Sequence, residues 1–322
     1  MLEVKNLAKH FAFNSGRRIR AVDGVSFQVH KNEILGIVGE SGCGKSTLGR
    51  LILRLIEPDE GKVFFEGEEI TGVSRSSLRP MRRAMQMVFQ NPFSSFNPKI
   101  RIGDSLMEVC RYYGMGASEA KEKIDRLLND IGLSSDMLNR WSRGLSGGQL
   151  QRLAIARAVI GEPSLLIADE PLSALDVSVQ AQLLNLLNEL RASRSMAMIF
   201  ISHDMAVIEY FCDRVAVMYL GKIMELVSSV ELSLNALHPY TRSLRTSAPR
   251  LDVFKDSVEE RQKPVYGETQ NSQDLVNKGC PFAPRCPEGI PSCRETAPEL
   301  REVSFGHWVR CHRTYKPRDY TY

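Results

Sequence analysis

The sequence has no long apolar run. No stretch of about 18 consecutive apolar residues occurs among its 322 residues, so we expect no helix that spans a bilayer. The first residues, Met1–Lys5, also lack the positively charged segment followed by an apolar one that marks a secretory signal. We therefore expect the chain to stay in the cytoplasm and any membrane association to be peripheral. Internal repeats and low-complexity tracts are missing too, which argues against a repeat architecture.

The composition is that of an ordinary globular protein. Hydrophobic residues make up 43% and charged residues 25% of the chain, and the length is sufficient for about two domains. The net charge of +4 is too small to demand a nucleic-acid partner, because an anionic ligand or an anionic membrane surface would explain it equally well.

Apolar runs and helical spacing alternate along the chain. Short apolar segments typical of buried strands are separated by stretches with helical periodicity, and this alternation predicts an α/β core with a mainly parallel sheet. The predicted strands are 2–7, 19–29, 34–38, 164–169, 196–202 and 214–219. The predicted helices are 47–55, 118–133 (capped by Ser118) and 154–160. Residues from about 92 to 141 indicate a helical insertion, and residues 249–278 indicate a polar linker.

A phosphate-binding pattern follows the third predicted strand. The segment Gly39–Thr47 matches G-x-x-x-x-G-K-S and precedes a predicted helix, which is the context that this motif requires. Glycines allow backbone N–H groups to approach phosphate oxygens closely. Lys45 would bind the β- and γ-phosphates, Ser46 would bind Mg²⁺, and Thr47 would bind the α-phosphate. The candidate nucleotide-binding residues of this phosphate loop are Gly39, Glu40, Ser41, Gly42, Cys43, Gly44, Lys45, Ser46 and Thr47.

Cys43 lies inside the phosphate loop, next to Lys45 and the start of the predicted helix. A neighbouring cation and a helix N-terminus both favour the thiolate form of cysteine. We therefore expect Cys43 to react with alkylating reagents and bound nucleotide to protect it.

Two adjacent acidic residues, Asp169 and Glu170, close a predicted buried strand. Adjacent acidic residues are ordinarily solvated surface groups, but the strand before this pair favours a functional interpretation. An acidic residue in this place can hold Mg²⁺, and its neighbour can activate an attacking water molecule.

Residues Leu145–Gln149 read L-S-G-G-Q, which resembles the signature of ATP-binding cassette (ABC) ATPases. Together with the phosphate loop, this resemblance covers residues 1 to about 230 and implies an ABC-type P-loop ATPase with ATP and Mg²⁺ as ligands. In that family the signature of one subunit caps the ATP that is held by the phosphate loop of its partner. The resemblance therefore implies a chain that works as half of a dimer.

The same resemblance assigns roles at the other family motifs. It implies that Asp169 binds Mg²⁺ and that Glu170 is the general base. Gln90 resembles the Q-loop glutamine, which senses Mg²⁺ and the attacking water, and His203 resembles the switch histidine at the γ-phosphate. The remaining candidate ATP-binding residues are Phe11 (stacking on adenine), Ser146, Gly147, Gly148 and Gln149 of the signature, and Asp176 of the D-loop Ser173–Asp176.

Three further segments resemble the ATPase subunits of dipeptide and oligopeptide importers: Asn91–Pro98, His238–Thr241 and Gly279–Pro287. The resemblance implies a second, related ABC ATPase as partner (a heterodimer), two transmembrane permease subunits and, indirectly, an extracytoplasmic solute-binding protein. It also implies a peripheral position on the cytoplasmic face of the cell membrane and no nucleic-acid partner. Two alternatives stay open, namely import of nickel or another small solute by the same machinery, and a soluble, non-transport ABC ATPase.

Seven cysteines are present, and four of them crowd the last 43 residues. In a reducing cytosol this crowding is more typical of a metal site than of disulfides. Structural zinc usually has tighter pairs, and the longer loops here suit a [4Fe–4S] cluster better; some peptide-importer ATPases carry such a cluster. Zinc and metal-free thiols remain alternatives. His307 and His312 are near enough to be further ligands, although we expect both to be ordinary surface residues. The predicted cluster ligands are Cys280, Cys286, Cys293 and Cys311.

The predicted domain organisation follows from these motifs. Residues 1–230 form the ABC nucleotide-binding domain, with an antiparallel β part and a helical subdomain inserted at about 92–160. Residues 231–278 form a linker or wrapping extension, and residues 279–322 form a small Cys-rich C-terminal extension. Because the nucleotide motifs end at His203, we expect the cluster to stabilise the extension and to be dispensable for nucleotide binding itself.

Overall fold

The structure, a computed structural model, describes residues 1–12, 18–74, 76–173, 175–247 and 278–315. These residues form the strands β1 (Leu2–Ala12), β2 (Arg18–Val29), β3 (Ile34–Val38), β4 (Glu60–Phe65), β5 (Glu68–Glu69), β6 (Met85–Val88), β7 (Leu165–Asp169), β8 (Ala197–Ser202), β9 (Arg214–Tyr219), β10 (Lys222–Ser228), β11 (Arg301–Ser304) and β12 (His307–Val309). They also form the helices α1 (Lys45–Ile52), α2 (Arg79–Ala84), α3 (Ile102–Tyr112), α4 (Ala117–Asp130), α5 (Gly147–Val159), α6 (Val177–Arg194), α7 (Met205–Phe211), α8 (Ser229–Asn235), α9 (Pro239–Ser247) and α10 (Ser292–Glu295).

The first of two compact units comprises Val29–Ile34 and Glu66–Ile201, together with Met1. Its strands run in the order β8-β7-β6 and are parallel. Every residue of β7 and β8 is buried, and for this reason both strands are continuous apolar runs rather than alternating ones. Helix α5 packs against β6, and α3 packs against α4.

The second unit comprises Leu2–Gln28, Leu35–Phe65 and the described residues from Ser202 onward. One of its sheets runs β2-β1-β4, with β1 and β4 antiparallel. The other runs β11-β12-β10-β9-β3, in which β3 and β9 are parallel and the other three pairs are antiparallel. The C-terminal hairpin β11–β12 therefore continues the sheet whose strand β3 leads into the phosphate loop.

The predicted α/β class is confirmed, with a mixed sheet instead of a mainly parallel one in the second unit. Helix α1 begins two residues before the predicted start and ends at Ile52, because Arg54 has a left-handed φ of 49° that a helix cannot continue. Helix α4 begins at Ala117 after the cap Gly116, so the prediction of Ser118 as its cap is wrong.

Beyond Ser228 the sequence pattern is weak, yet α8 and α9 form there. The predicted linker, 249–278, lies outside the described residues except for its last position. In the part of the chain that the structure describes, no helix combines the length and apolarity that crossing a membrane requires.

Candidate functional site

The phosphate loop connects the buried strand β3 to helix α1. Gly44 is the N-cap of α1 with a φ of 106°, and Gly42 has a φ of 78°; L side chains rarely adopt either conformation. A Cβ atom on Gly39 would lie 2.1 Å from the carbonyl oxygen of Met218, and one on Gly44 would lie 1.9 Å from that of Ala21. The close approach of neighbouring backbone therefore requires glycine at both positions.

Lys45 is the first residue of α1 and is only 4% exposed. Its ammonium group donates hydrogen bonds to the carbonyl oxygens of Gly39 at 2.8 Å and Glu40 at 3.0 Å. The side chain thus folds back over the loop and places a positive charge beside the N-terminus of α1, whose backbone dipoles also favour an anion. Ser46 and Thr47 follow in the first turn and are partly exposed. This arrangement is chemically suited to a polyphosphate.

The prediction that Cys43 is a thiolate is wrong. The residue is 4% exposed, and this burial raises the pKa of its thiol even though the nearby Lys45 acts to lower it. The desolvation of the sulfur outweighs the attraction of the ammonium group. Cys43 therefore packs as a protonated, small apolar residue.

Gln90 and Glu170 meet in the first unit, where the Nε2 atom of Gln90 donates to Oε2 of Glu170 at 3.0 Å. Glu170 follows β7 directly and has a φ of 45°, a left-handed conformation that costs free energy for residues other than glycine. Its N–H donates to the carbonyl oxygen of Ile201 at 3.0 Å, which holds this backbone in place. Asp169, the last residue of β7, is 1% exposed. The structure thus brings the amide of Gln90 into contact with the carboxylate of Glu170, the two side chains that the sequence predicts to act on the attacking water.

The signature segment, Leu145–Gln149, forms the N-terminus of α5. Ser146 is the N-cap, and its hydroxyl accepts the N–H of Gln149 at 3.3 Å, while the side chain of Gln149 accepts the N–H of Ser146 at 3.1 Å. This reciprocal pair is a capping box. Ser146 and Gly147 are exposed. A Cβ atom on Gly148 would lie 3.0 Å from Cγ1 of Val179, so this glycine permits close packing on α6.

Asp176 and His203 each stand at the end of a regular element. Asp176 is the N-cap of α6, and its carboxylate accepts from the hydroxyl of Ser178 at 2.7 Å and the N–H of Val179 at 3.0 Å. These hydrogen bonds lower the pKa of Asp176. His203 follows β8 and is exposed. Ala174, within the predicted D-loop, lies outside the described residues.

Phe11, the predicted adenine-stacking residue, lies in β1 and is partly exposed. The ammonium group of Lys9 lies 5.8 Å from the centroid of its ring. The role of Phe11 in stacking on adenine stays a prediction.

Two C-terminal residues outside the predicted ATP-binding motifs contact the phosphate loop. The hydroxyl of Tyr240 accepts the N–H of Glu40 at 3.0 Å, and the guanidinium of Arg285 pairs with the carboxylate of Glu40 at 2.9 Å. No sequence spacing relates Tyr240 and Arg285 to a loop that lies 200 and 245 positions away. The C-terminal extension thus contacts the phosphate loop through Arg285, which the positions of the nucleotide motifs alone did not predict.

Four cysteines line one cavity in the second unit, which we call the four-cysteine cavity. Its empty volume, including the part open to solvent, is about 320 Å³. Burial raises the pKa of Cys280 to about 11, and it also raises the pKa of Cys286 and Cys311; the thiols further raise one another's pKa because two thiolates would repel. The cavity is lined by Cys280, Cys286, Cys293 and Cys311, among others. In the described ranges no group of three or more His, Cys, Asp or Glu residues is arranged to hold a single metal ion.

His307 is not a surface residue but pairs with a buried glutamate. It is 1% exposed, and its Nε2 atom lies 2.7 Å from Oε1 of Glu225, which is itself fully buried. Burial acts to raise the pKa of Glu225, but hydrogen bonds from His307 and from the N–H groups of Leu237 and His238 lower it overall. This pair joins β12 to β10 and so docks the C-terminal hairpin. His312, by contrast, lines the four-cysteine cavity.

The sequence matches two described protein families. Residues 22–173 match the ABC transporter family, and residues 224–293 match the family described as the oligopeptide/dipeptide transporter C-terminal region. A putative peptide import ATP-binding protein of Brucella ovis is 45% identical over 97% of this chain and 98% of its own length. The oligopeptide transport ATP-binding protein AppF of Bacillus subtilis is 45% identical over 97% of each chain.

Solved structures of ATP-binding cassettes resemble this chain as well. The dimeric, post-hydrolysis structure of the cassette MJ0796 bound to ADP and Pi has a TM-score of 0.66 and 27% identity, and the match covers 71% of this chain and 99% of that one. The structure of cbiO1 from Clostridium perfringens, part of an ABC transporter complex, has a TM-score of 0.65 and 26% identity, and the match covers 73% and 90% of the two chains.

Proposed function

Because the chain belongs to the ABC transporter ATP-binding proteins of the oligopeptide/dipeptide transporter group, we propose that it hydrolyses ATP to power the import of peptides across the cytoplasmic membrane. One observation carries the choice of peptides: identity of 45% extends over 97% of the chain to relatives that are named for peptide import. That span includes the C-terminal region, which also matches the oligopeptide/dipeptide family. Neither nickel nor a non-transport role has comparable support.

The phosphate loop binds the triphosphate of ATP in this proposal. Lys45 and the N-terminus of α1 supply positive charge, and Ser46 and Asp169 are suited by their oxygen atoms to hold Mg²⁺, which would neutralise charge on the phosphates. Glu170 takes a proton from the attacking water. Gln90, 3.0 Å from Glu170, orients that water and its carboxylate partner, and His203 contacts the γ-phosphate.

The signature segment acts on the nucleotide of another subunit. Its support is the exposed N-terminus of α5, where Ser146 and Gly147 face outward with their capping box already formed. The N-terminus of a helix attracts phosphate, so Ser146 to Gln149, together with Asp176, cap the ATP of the partner. The partner is a second, related ABC ATPase.

Closure of the two ATPase subunits around ATP moves two transmembrane permease subunits, and hydrolysis reopens the pair. Residues 91–102, next to Gln90, receive the permeases. The chain works on the cytoplasmic face of the cell membrane as a peripheral subunit, and an extracytoplasmic solute-binding protein delivers the peptide. The boundaries proposed for its domains are 1–230, with the helical subdomain at about 92–160, then 231–278 and 279–322.

The four-cysteine cavity holds a [4Fe–4S] cluster in this proposal. An iron–sulfur cluster takes one thiolate on each of four irons, so its ligands surround a cavity. The support is that Cys280, Cys286, Cys293 and Cys311 line the same cavity. The cluster would cross-link the C-terminal extension.

Peptide uptake in cells tests the proposed function. A strain that lacks this chain should fail to take up a labelled oligopeptide, and the wild-type chain should restore uptake. The variant Lys45→Ala should not restore it, although it is present at the membrane in equal amount. Uptake of peptide that is unaffected by loss of the chain, or loss of nickel uptake instead, would contradict peptide as the solute.

Metal analysis of anaerobically purified chain tests the proposed cluster. We expect four irons and four acid-labile sulfides per chain, the composition of this cluster, and charge-transfer absorption in the visible range. The variant Cys286→Ser should lower the iron content, whereas Cys212→Ser, at a buried cysteine outside the cavity, should retain it. Iron-free protein, or zinc in its place, would refute the assignment.

A further inference from the structure

Glu40 of the phosphate loop is held from two sides by the C-terminal segment. Its N–H donates to the hydroxyl of Tyr240 at 3.0 Å. Its carboxylate receives two hydrogen bonds from Arg285, one per oxygen: NH1 reaches Oε2 at 2.9 Å and NH2 reaches Oε1 at 2.9 Å. Bidentate pairs of this kind are among the strongest side-chain contacts and fix orientation. Backbone and side chain of Glu40 are thus both fixed by residues far away in the sequence.

The position of Arg285 is itself fixed. It ends a short 3₁₀ turn, Ala283–Arg285, in which its N–H donates to the carbonyl oxygen of Phe282 at 3.0 Å. Its guanidinium lies 5.8 Å from the ring centroids of both Phe282 and Tyr219. Cations are attracted to such aromatic faces. The side chain is only 18% exposed, so Arg285 reaches Glu40 from a prepared position and not as a loose surface arginine.

Three aromatic rings form the base of this contact, and Tyr240 belongs to them. The rings of Tyr219 and Tyr240 are 4.6 Å apart, and each lies 5.3 to 5.4 Å from the ring of Phe282. Tyr240 is 1% exposed, and burial raises the pKa of its hydroxyl, which therefore stays protonated. The aromatic cluster connects the two residues that contact Glu40, so the tyrosine and the arginine act on the loop as one unit.

The charge of Glu40 explains why this contact matters for the nucleotide. A loop that must receive the phosphates of ATP contains a carboxylate five positions before Lys45, and like charges at short range repel. Arg285 cancels this charge. The surroundings are partly buried, with 25% of the Glu40 side chain exposed, so solvent would screen an unpaired carboxylate only in part.

We propose that Arg285, together with Tyr240, is a positioning residue for ATP: it neutralises Glu40 and holds the first half of the phosphate loop ready for the phosphates. The inference rests on ATP binding at the phosphate loop. It also gives the C-terminal extension a direct influence on nucleotide affinity, since Arg285 lies on the segment between the cavity cysteines Cys280 and Cys286.

Affinity for Mg-ATP, measured by calorimetry on the full chain, tests the proposal. We expect Arg285→Ala to raise the dissociation constant about ten-fold, which corresponds to ~1.4 kcal/mol. Glu40→Gln in the same chain should restore most of the affinity, because the uncompensated charge is gone. The deficit of Arg285→Ala should also shrink at high salt, since ions screen the repulsion.

Arg310→Ala is the matched control. This arginine belongs to the same extension but donates to the carbonyl oxygens of Ile223 and Pro298 instead of contacting the phosphate loop. We expect it to lower the melting temperature without weakening Mg-ATP binding. Arg285→Lys, which keeps the charge but loses the bidentate geometry, should show an intermediate affinity and serves if Arg285→Ala does not fold.

Four results would overturn the proposal. Wild-type affinity in Arg285→Ala and Arg285→Lys would remove the role of the arginine. Equal weakening by Arg285→Ala with and without Glu40→Gln, or equal weakening by Arg310→Ala, would reduce it to general support of the fold. A wild-type chain that does not bind Mg-ATP would refute the proposed function itself, and the positioning role with it.

Discussion

The phosphate loop and the signature segment are both glycine-containing helix N-termini, but their surroundings differ. In the phosphate loop Lys45 is 4% exposed, and neighbouring carbonyl oxygens leave no room for a Cβ atom on Gly39 or Gly44. Arg285 pairs with Glu40. The chain itself therefore supplies the contacts that hold the phosphate loop in place. In the proposed function, this helix N-terminus therefore binds its anion without residues from a partner subunit.

The signature segment differs because its hydrogen bonds are made within the segment while its surface stays exposed. Its capping box satisfies Ser146 and Gln149 within the segment, and Ser146 and Gly147 stay exposed. In the proposed function, this contrast assigns the nucleotide of its own chain to the phosphate loop and a molecule from outside the chain to the signature segment. The predictions below test the two halves of this comparison.

The largest expected effect separates holding the nucleotide from reacting with it. In the assembled transporter, Glu170→Gln should keep Mg-ATP binding but lower turnover by about 1000-fold, since general-base catalysis commonly contributes 10²–10⁴. Glu162→Gln, at an exposed glutamate that pairs with Lys123 in the same unit, is the control and should hydrolyse ATP normally. Wild-type turnover in Glu170→Gln would show that another group is the base.

Acid should destabilise the region behind the phosphate loop, where Nδ1 of His238 accepts the N–H of Tyr240 at 3.0 Å. Burial lowers the pKa of His238 to about 4 from its ordinary 6.5. Between these two pH values His238 is therefore protonated in the unfolded chain and neutral in the folded one. The stability that this provides is complete above pH 6.5 and is lost as the pH falls towards 4, in total about 3 kcal/mol. The lowered pKa of Glu225 acts in the same direction, at more acid pH.

Thermal melting between pH 8 and pH 4 measures this effect. His238→Gln, which cannot take up the proton, should flatten the decline in melting temperature. His312→Gln, at a partly exposed histidine of the same extension whose Nε2 atom lies 3.0 Å from the carbonyl oxygen of Thr296, should follow the wild-type curve. A decline that is equally steep in His238→Gln would place the acid sensitivity elsewhere.

Lys45 of the phosphate loop should contribute to the binding of Mg-ATP. Lys45→Ala removes a buried ammonium group that would make charge-assisted hydrogen bonds to phosphate, and we expect a loss of about 2 kcal/mol, or about thirty-fold in affinity for Mg-ATP. Lys62→Ala, at a lysine on β4, is the control. Equal affinity in the two variants would mean that the loop binds phosphate through its backbone only.

The smallest expected effect concerns Cys43. Because burial keeps this thiol protonated, we expect slow alkylation of the native chain both with and without Mg-ATP, and rapid alkylation after unfolding. Mass spectrometry of labelled protein gives the rates. Fast labelling that Mg-ATP blocks would show that the phosphate loop exposes Cys43 to solvent when no nucleotide is bound.

The sequence predicted best what depends on neighbouring residues. The strand, loop and helix around Lys45 follow from local spacing, and the apolar runs of β7 and β8 reveal burial on both faces. The sequence failed where tertiary contacts decide. Burial outweighed the cation beside Cys43, and the hairpin β11–β12 gained its place through pairing with β10.

The contacts of Glu40 show the same limit most clearly. Tyr240 could be singled out as part of a family segment, but only the fold brings its hydroxyl and the guanidinium of Arg285 to the phosphate loop. Likewise, His307 gives no sign in the sequence of its buried partner Glu225. Long-range pairs of polar residues leave no periodic trace that local reasoning could detect.

The variant Ser146→Arg tests most directly the claim that the phosphate loop binds the nucleotide of its own chain and the signature segment binds that of a partner. It places a bulky cation on the exposed signature and leaves the phosphate loop untouched. We expect the isolated chain to bind Mg-ATP with wild-type affinity, while the assembled transporter that contains the variant loses ATP hydrolysis. Weakened Mg-ATP binding by the isolated chain would contradict the account, because the signature would then belong to the nucleotide site of its own chain.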